Sequence, residues 1–339
     1  MKFRVLSDLH VDYNERYPLE IPESGRDTFA VLCGDTSGSP EDTIKWIKEN
    51  VRHGVFVSGN HLPYCNSYGF TPGEKRTMDE LRRKLADSFP ADGDITYLDA
   101  EIGIVKKIVD GIMFLGSCCY TDMRISHEHW NPDGDPMLNR MCSEHNMNDY
   151  KRGFVGKKTG PDGVVEYTPM TAKNYEKWFA NATGAFDREL SENEASENPL
   201  PVVLVTHHPL IPNFLTHSGY VEDCNNIWSV REFNWASYAS DWRQWLRSHS
   251  SVKCYCCGHI HDVEKEWRHF DMACGDGRSI LVVNNARGYV DSGHDYNFNP
   301  NLFVDTDTWK VEEEPLPEKD VAERKAMTEK LMRYSAWLM

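Results

Sequence analysis

Five apolar, β-branched runs, each followed at once by a short polar motif, constrain this chain more than any other feature. The runs are Phe3–Leu6, Phe29–Cys33, Val55–Val57, Val202–Val205 and Val252–Cys257. The motifs are Asp8-Leu9-His10, Gly34-Asp35, Gly59-Asn60-His61, Thr206-His207-His208-Pro209 and Gly258-His259-Ile260-His261. Such runs read as buried strands, and in open α/β sheets ligands sit beyond the carboxyl ends of strands. The chain therefore presents Asp8, His10, Asp35, Asn60, His207, His259 and His261 at one edge. One motif alone is more often a turn former or a satisfied polar residue. Five in order, each in the same context, point to a metal site, because motif readings gain force from structural context. His208 precedes Pro209, which favours an extended backbone and a loop-shaping role.

Mixed imidazole and carboxylate ligands suit Mn, Fe or Zn better than Ca or Mg. A pair of such divalent ions can stabilise the charge of a phosphate ester and make a nucleophile from water. The motif set resembles the calcineurin-like metallophosphoesterase superfamily over roughly residues 3–290. The resemblance implies an α/β fold, a four-layer, two-sheet mixed β-sandwich flanked by helices. It implies that Asp8, His10 and His261 hold one metal and that Asn60, His207 and His259 hold the other, with Asp35 as the bridge. His61 would stay off the metals as general acid, so that His61, Asp35 and Asn60 form the catalytic set and a metal-activated hydroxide attacks the ester.

Other segments are similar to uncharacterised bacterial and phage-type members: Tyr120-Thr121-Asp122, Asn148-Asp149-Tyr150 and Arg287-Gly288-Tyr289. From these, Asn148, Tyr150 and Arg287 join Asn60 and His61 as expected substrate contacts, the alternatives being a helix-end or packing role for Asn148-Asp149-Tyr150 and a surface salt bridge for Arg287. Arg287 follows the strand-like Ile280-Leu281-Val282-Val283 and could clamp phosphate oxygens bidentately. The chain departs from the protein Ser/Thr phosphatases of the superfamily. Gly34-Asp35 is followed by Thr36-Ser37-Gly38, without their second Asp and Arg, and Leu62 stands where they carry Glu. Protein phosphatase activity is disfavoured, and no carboxylate partner for His61 is assignable.

The 339 residues carry 53 acidic and 37 basic side chains, a net charge of −16. With no Lys/Arg block, long nucleic acids are disfavoured as partners. No apolar run is long enough to span a membrane, and Met1-Lys2 runs directly into the first strand, leaving no room for a secretory signal. A cytoplasmic protein is expected, its ten cysteines reduced. Cys254-Tyr255-Cys256-Cys257 has a zinc-like spacing, but it lies inside a strand, where alternate residues face opposite sides. Buried thiols are the expected state.

One phosphoesterase domain is expected over residues 1–315, with a helical extension over 316–339 striped by Met327, Leu331, Tyr334 and Leu338. Helices are expected from Ser39-Pro40, around Met78–Phe89, and from Thr171 with Tyr175, Phe179, Ala182, Phe186 and Leu190 on one face. Asp110-Gly111 reads as a hairpin turn. Residues 118–170 lack a steady period and read as an irregular insertion or cap loop, with His127, His129 and His145 as loop histidines. Tyr238, Trp242 and Trp245 share one helical face and read as core, whereas Trp228 and Phe233 are candidates for a pocket wall. The expected substrate is a small phosphodiester or nucleotide. The alternatives are a nuclease of the same superfamily and a metal-free interaction scaffold.

Overall fold

Alternate residues of the apolar runs bury on opposite faces, and this parity builds two sheets with a shared interior. The computed structural model describes residues 1–66, 75–127, 131–218, 235–292 and 297–315. In the first sheet, β1 (Lys2–Leu6), β2 (Phe29–Leu32), β3 (Gly54–Phe56) and β4 (Ile95–Tyr97) run parallel. In the second, β6 (Ile112–Ser117), β9 (Val202–Thr206), β10 (Val252–Cys257) and β12 (Ser279–Asn284) do the same. Antiparallel edge strands complete each: β13 (Leu302–Asp305) and β14 (Lys310–Glu313) in the first, β5 (Lys106–Val109) and β11 (His269–Ala273) in the second. The orders are β14-β13-β1-β2-β3-β4 and β11-β12-β10-β9-β6-β5.

Phe3, Val5, Val31, Val55, Phe114, Val203, Val205 and Cys254 form one buried cluster between the sheets. The opposite parity, Leu6, Leu32, Phe56, Leu115, Leu204 and Tyr255, packs in the cluster that includes the helices. Parallel strands covered on both faces read as continuous apolar runs, which is why they were visible in the sequence. Helix α1 (Pro40–Asn50) is capped by Ser39, whose hydroxyl accepts from the Asp42 amide. Helix α2 (Met78–Ser88) starts at a Thr77–Glu80 capping box. Asp110 and Gly111 both have positive φ, 50° and 74°, as a type I′ hairpin between β5 and β6 requires.

The insertion is more regular than expected. It holds α3 (Pro136–Asn146), the single turn α4 (Asp149–Arg152) and a hairpin of β7 (Phe154–Thr159) and β8 (Val165–Pro169). Helix α3 buries only Asn139 and Ser143, and β7 only its first residue, whereas α4 buries Asp149 and Tyr150. With no apolar face to cover, α3 and β7 carry no hydrophobic period, and α4 is too short to show one. Helix α5 (Ala172–Glu194) forms as expected and buries all five residues of its predicted stripe. After α6 (Asn213–Thr216), the aromatic segment makes two short helices, α7 (Trp235–Tyr238) and α8 (Arg243–Ser248), not one. Trp228, Phe233, His129 and the expected helix over 316–339 lie outside the described residues. Among the described residues, no helix is long and apolar enough to cross a membrane.

Candidate metal centre

The loops leaving β1, β2, β3, β9, β10 and β12 meet at one end of the sandwich, and backbone hydrogen bonds stitch them together. Asp8 and His10 donate their amides to Gly34 and Asp35, both at 3.0 Å. Gly258 donates to His207 at 3.0 Å, and Arg287 donates across to Ser7 of the other sheet at 3.0 Å. Four functional candidates take left-handed backbone: Asp8 (φ 53°), His10 (43°), Asp35 (47°) and His259 (67°). Each such non-glycine residue costs about 1–2 kcal/mol, and strain of this kind persists where surrounding structure over-determines it. Two motif glycines are explained by close approach. A Cβ on Gly59 would overlap the Asp35 carboxylate, and one on Gly258 would overlap Ser7 Oγ and crowd Asp8.

The side chains form connected clusters. His261 Nε2 lies 2.9 Å from Asp8 Oδ1 and 3.2 Å from His10 Nε2. Asp8 Oδ2 is occupied by the Ser7 hydroxyl and the His259 amide, which leaves Oδ1 facing the histidines. In the second cluster, His207 Nε2 lies 2.9 Å from Asn60 Oδ1 and 3.3 Å from Asp35 Oδ2. Asp35, His207 and His259 each bring a ligand atom within 4.8 Å of the others, as do Asp8, His10 and His261. A third group, His10, Asp35 and His61, links them, sharing His10 with the first and Asp35 with the second. His61 thus stands nearer the cluster than a residue wholly apart from it. Its amide donates to Asp35 Oδ1 at 3.0 Å, and its ring stacks on Tyr64 at 3.9 Å.

The donor chemistry fits divalent ions. The Nδ1 of His207 faces the Cys33 carbonyl at 2.8 Å. A carbonyl only accepts, so Nδ1 carries the proton and the neutral ring turns its Nε2 lone pair toward two oxygens. Acceptors converging on one point need a cation or an extra proton between them. Without an ion, the proton takes that place: burial opposes it, but the Asp35 charge raises His207 to about 9. Asp35 is held well below the usual carboxylate range, since His207 and His61 outweigh the penalty of burial. Burial, then neighbouring histidines, pushes His10 and His259 well below 6.5, which keeps them neutral with lone pairs available. His10 Nδ1 and His259 Nε2 are buried without hydrogen-bond partners.

A cavity of about 380 Å³ opens over this floor. Asp35, Asn60, His61, His259 and His261 line it, with Tyr13, Tyr64, Tyr238, Tyr289, Asn148, Asp149 and Arg152 around them. Of the expected substrate residues, Asn60, His61 and Asn148 are in the wall. Arg287 is not: its guanidinium is buried and donates to the Tyr17 carbonyl at 2.6 Å. Tyr150 is also buried, its hydroxyl 3.1 Å from Ser143 Oγ. In their place, the loop after β12 offers Tyr289, whose hydroxyl lies 3.2 Å from His61 Nε2. The guanidinium in the wall belongs to Arg152, which lies over the Tyr64 ring at 4.3 Å. Tyr238 packs half-buried against the core as expected, and its ring also stacks on His259 at 4.9 Å in the pocket wall.

His208 is buried with its ring 4.2 Å from that of His259, a loop-shaping position. His127 packs on Trp235 and His145 is exposed; neither joins a ligand cluster among the described residues. Cys254 and Cys257 are buried free thiols in different clusters, on opposite faces of β10.

The chain matches the calcineurin-like phosphoesterase family over residues 1–263. Its fold is similar to the crystal structure of phosphopantetheinyl hydrolase from Mycobacterium tuberculosis, with a TM-score of 0.54 and 17% identity, covering 85% of this chain and 89% of that one. Likeness at this identity speaks to the fold. No match was found among curated protein sequences.

Proposed function

We propose, from the premise that this chain belongs to the calcineurin-like phosphoesterase family, that it hydrolyses a small phosphodiester or nucleotide in the cavity above the clustered ligands. The observation that carries this reading is the convergence of ligand atoms from Asp8, His10, Asp35, His61, His207, His259 and His261 into three groups joined through His10 and Asp35. On this reading Asp8, His10 and His261 hold one metal, Asn60, His207 and His259 hold the other, and Asp35 serves both. The donor set suits Mn, Fe or Zn. Bound there, such ions supply Lewis-acid stabilisation of phosphoryl oxygens and a nucleophile near neutral pH.

The chain's own residues do the rest. His61 presents Nε2 beside the Tyr289 hydroxyl, at the pocket face, and gives its proton to the departing ester oxygen. Its stack on Tyr64 fixes the ring plane. Arg152, at the rim, is the guanidinium placed to hold a phosphate oxygen. The cavity volume of about 380 Å³ suits a small molecule. A nuclease would need a basic groove; among the described lining residues the guanidinium of Arg152 is the one Lys or Arg charge.

The test is a substrate panel assayed with Mn²⁺, Fe²⁺ and Zn²⁺: phosphomonoesters, phosphodiesters, cyclic nucleotides, a phosphopantetheinyl ester and short oligonucleotides. Turnover of a small diester or nucleotide is expected. Exclusive turnover of oligonucleotides would favour a nuclease, and no bound metal together with no turnover would favour a scaffold.

A further inference from the structure

Asn60 has two amide atoms, and only its oxygen can serve as a metal ligand. The Asp149 side chain decides which atom faces the cluster. Asp149 is fully buried, and its Oδ1 accepts from Asn60 Nδ2 at 2.7 Å and from the Tyr175 hydroxyl at 2.8 Å. Its Oδ2 accepts from the Tyr64 hydroxyl at 3.2 Å. A carboxylate accepts and does not donate. Asn60 must therefore turn its NH₂ toward Asp149 and its oxygen the opposite way, where it lies 2.9 Å from His207 Nε2.

We propose that Asp149 is a positioning residue of the metal centre, fixing the amide of Asn60 with its oxygen on the second metal position. This rests on the reading that Asn60 holds a metal. It makes the insertion part of the centre, since Asp149 opens α4, 89 positions along the chain from Asn60. The same carboxylate holds Tyr64, the ring on which His61 stacks. One side chain thus aligns both a ligand and the residue that donates the proton. Partners that orient metal ligands typically contribute about 10–100-fold to metal affinity or activity.

Mn²⁺ titration calorimetry on the full chain, read as ions bound and their affinities, tests the proposal. Asp149→Asn should weaken the second ion by about 10–100-fold and leave the first as in the wild type. Asn60→Asp sets two carboxylates against each other, and they compete with the ion by sharing a proton. Adding Asp149→Asn to that variant restores an amide–carboxylate pair with the roles exchanged. There it should strengthen the second ion, opposite in sign to its effect on the wild type. The same sign in both backgrounds, or unaltered binding in Asp149→Asn, overturns the proposal. If Asp149→Asn alone does not fold, the comparison within the Asn60→Asp background decides by itself. Asn60→Ala separates the two readings. Two ions held as in the wild type would sink the metal role of Asn60 and the positioning with it. A lost ion there, with unaltered binding in Asp149→Asn, would sink only the positioning.

Discussion

At the scale of single residues, the chemistry turns on His61 and on the glycine two positions before it. His61 is adjacent to Asn60 in the chain and 3.9 Å from the Asp35 carboxylate, yet its Nε2 also meets the Tyr289 hydroxyl at the pocket face. A proton donor there matters in proportion to the basicity of the leaving oxygen. His61→Ala should therefore lose far more kcat on alkyl or nucleoside esters, by about 10²–10⁴-fold, than on nitrophenyl esters. Calorimetric metal binding should be retained. An equal loss across the leaving-group series would make His61 a phosphate-positioning residue. Gly59 has a purely steric duty, leaving room for the Asp35 carboxylate. Gly59→Ala should displace Asp35 and cut metal affinity and turnover at least tenfold, with far-UV dichroism unchanged. Gly184, mid-helix in α5 with open space at its Cβ position, is the control. Gly184→Ala should leave activity intact and raise stability by about 0.5–1 kcal/mol. Loss of activity in both, or in neither, would contradict the steric account.

At the scale of elements, two short segments show how one turn of backbone decides a role. In α4, Tyr150 packs inward against Tyr175 while Asp149 reaches Asn60 and Arg152 reaches the rim. After β12, Arg287 turns into the protein and Tyr289 turns to the pocket. Both segments stand out in the sequence, but the residue that does the work within each does not. Past the end of a strand there is no pleat to assign faces, and a single helical turn has too few residues to show a period. The resulting expectation is a crossover in phenotype. Arg152→Ala should raise KM about tenfold with folding unaffected. Arg287→Ala should cost about 1–3 kcal/mol in denaturant unfolding, through its lost buried hydrogen bond, and leave KM unchanged. The reverse pattern would return Arg287 to the substrate.

At the scale of the whole molecule, the two sheets bring buried acids and histidines together at the end of a chain of net charge −16. Desolvated groups of this kind are costly without a cation, so ions that bind only the folded protein should stabilise it. At a hundredfold excess over Kd the gain is about 2.7 kcal/mol. Stripping with EDTA should lower Tm by several degrees, with recovery on adding Mn²⁺. A Tm indifferent to both would argue that no ion occupies the centre. The apolar parallel strands of the two sheets, their burial on both faces and the residue types at their ends were legible in the sequence. Those signals are local: an apolar run and the polar motif abutting it. Which loops meet is set by the tertiary fold. His10 and His261 face each other across 251 positions, and Asp149 reaches Asn60 from a single helical turn too short to leave a pattern. Contacts between distant loops depend on how sheets stack and where their connections cross, and no periodicity along the chain records that.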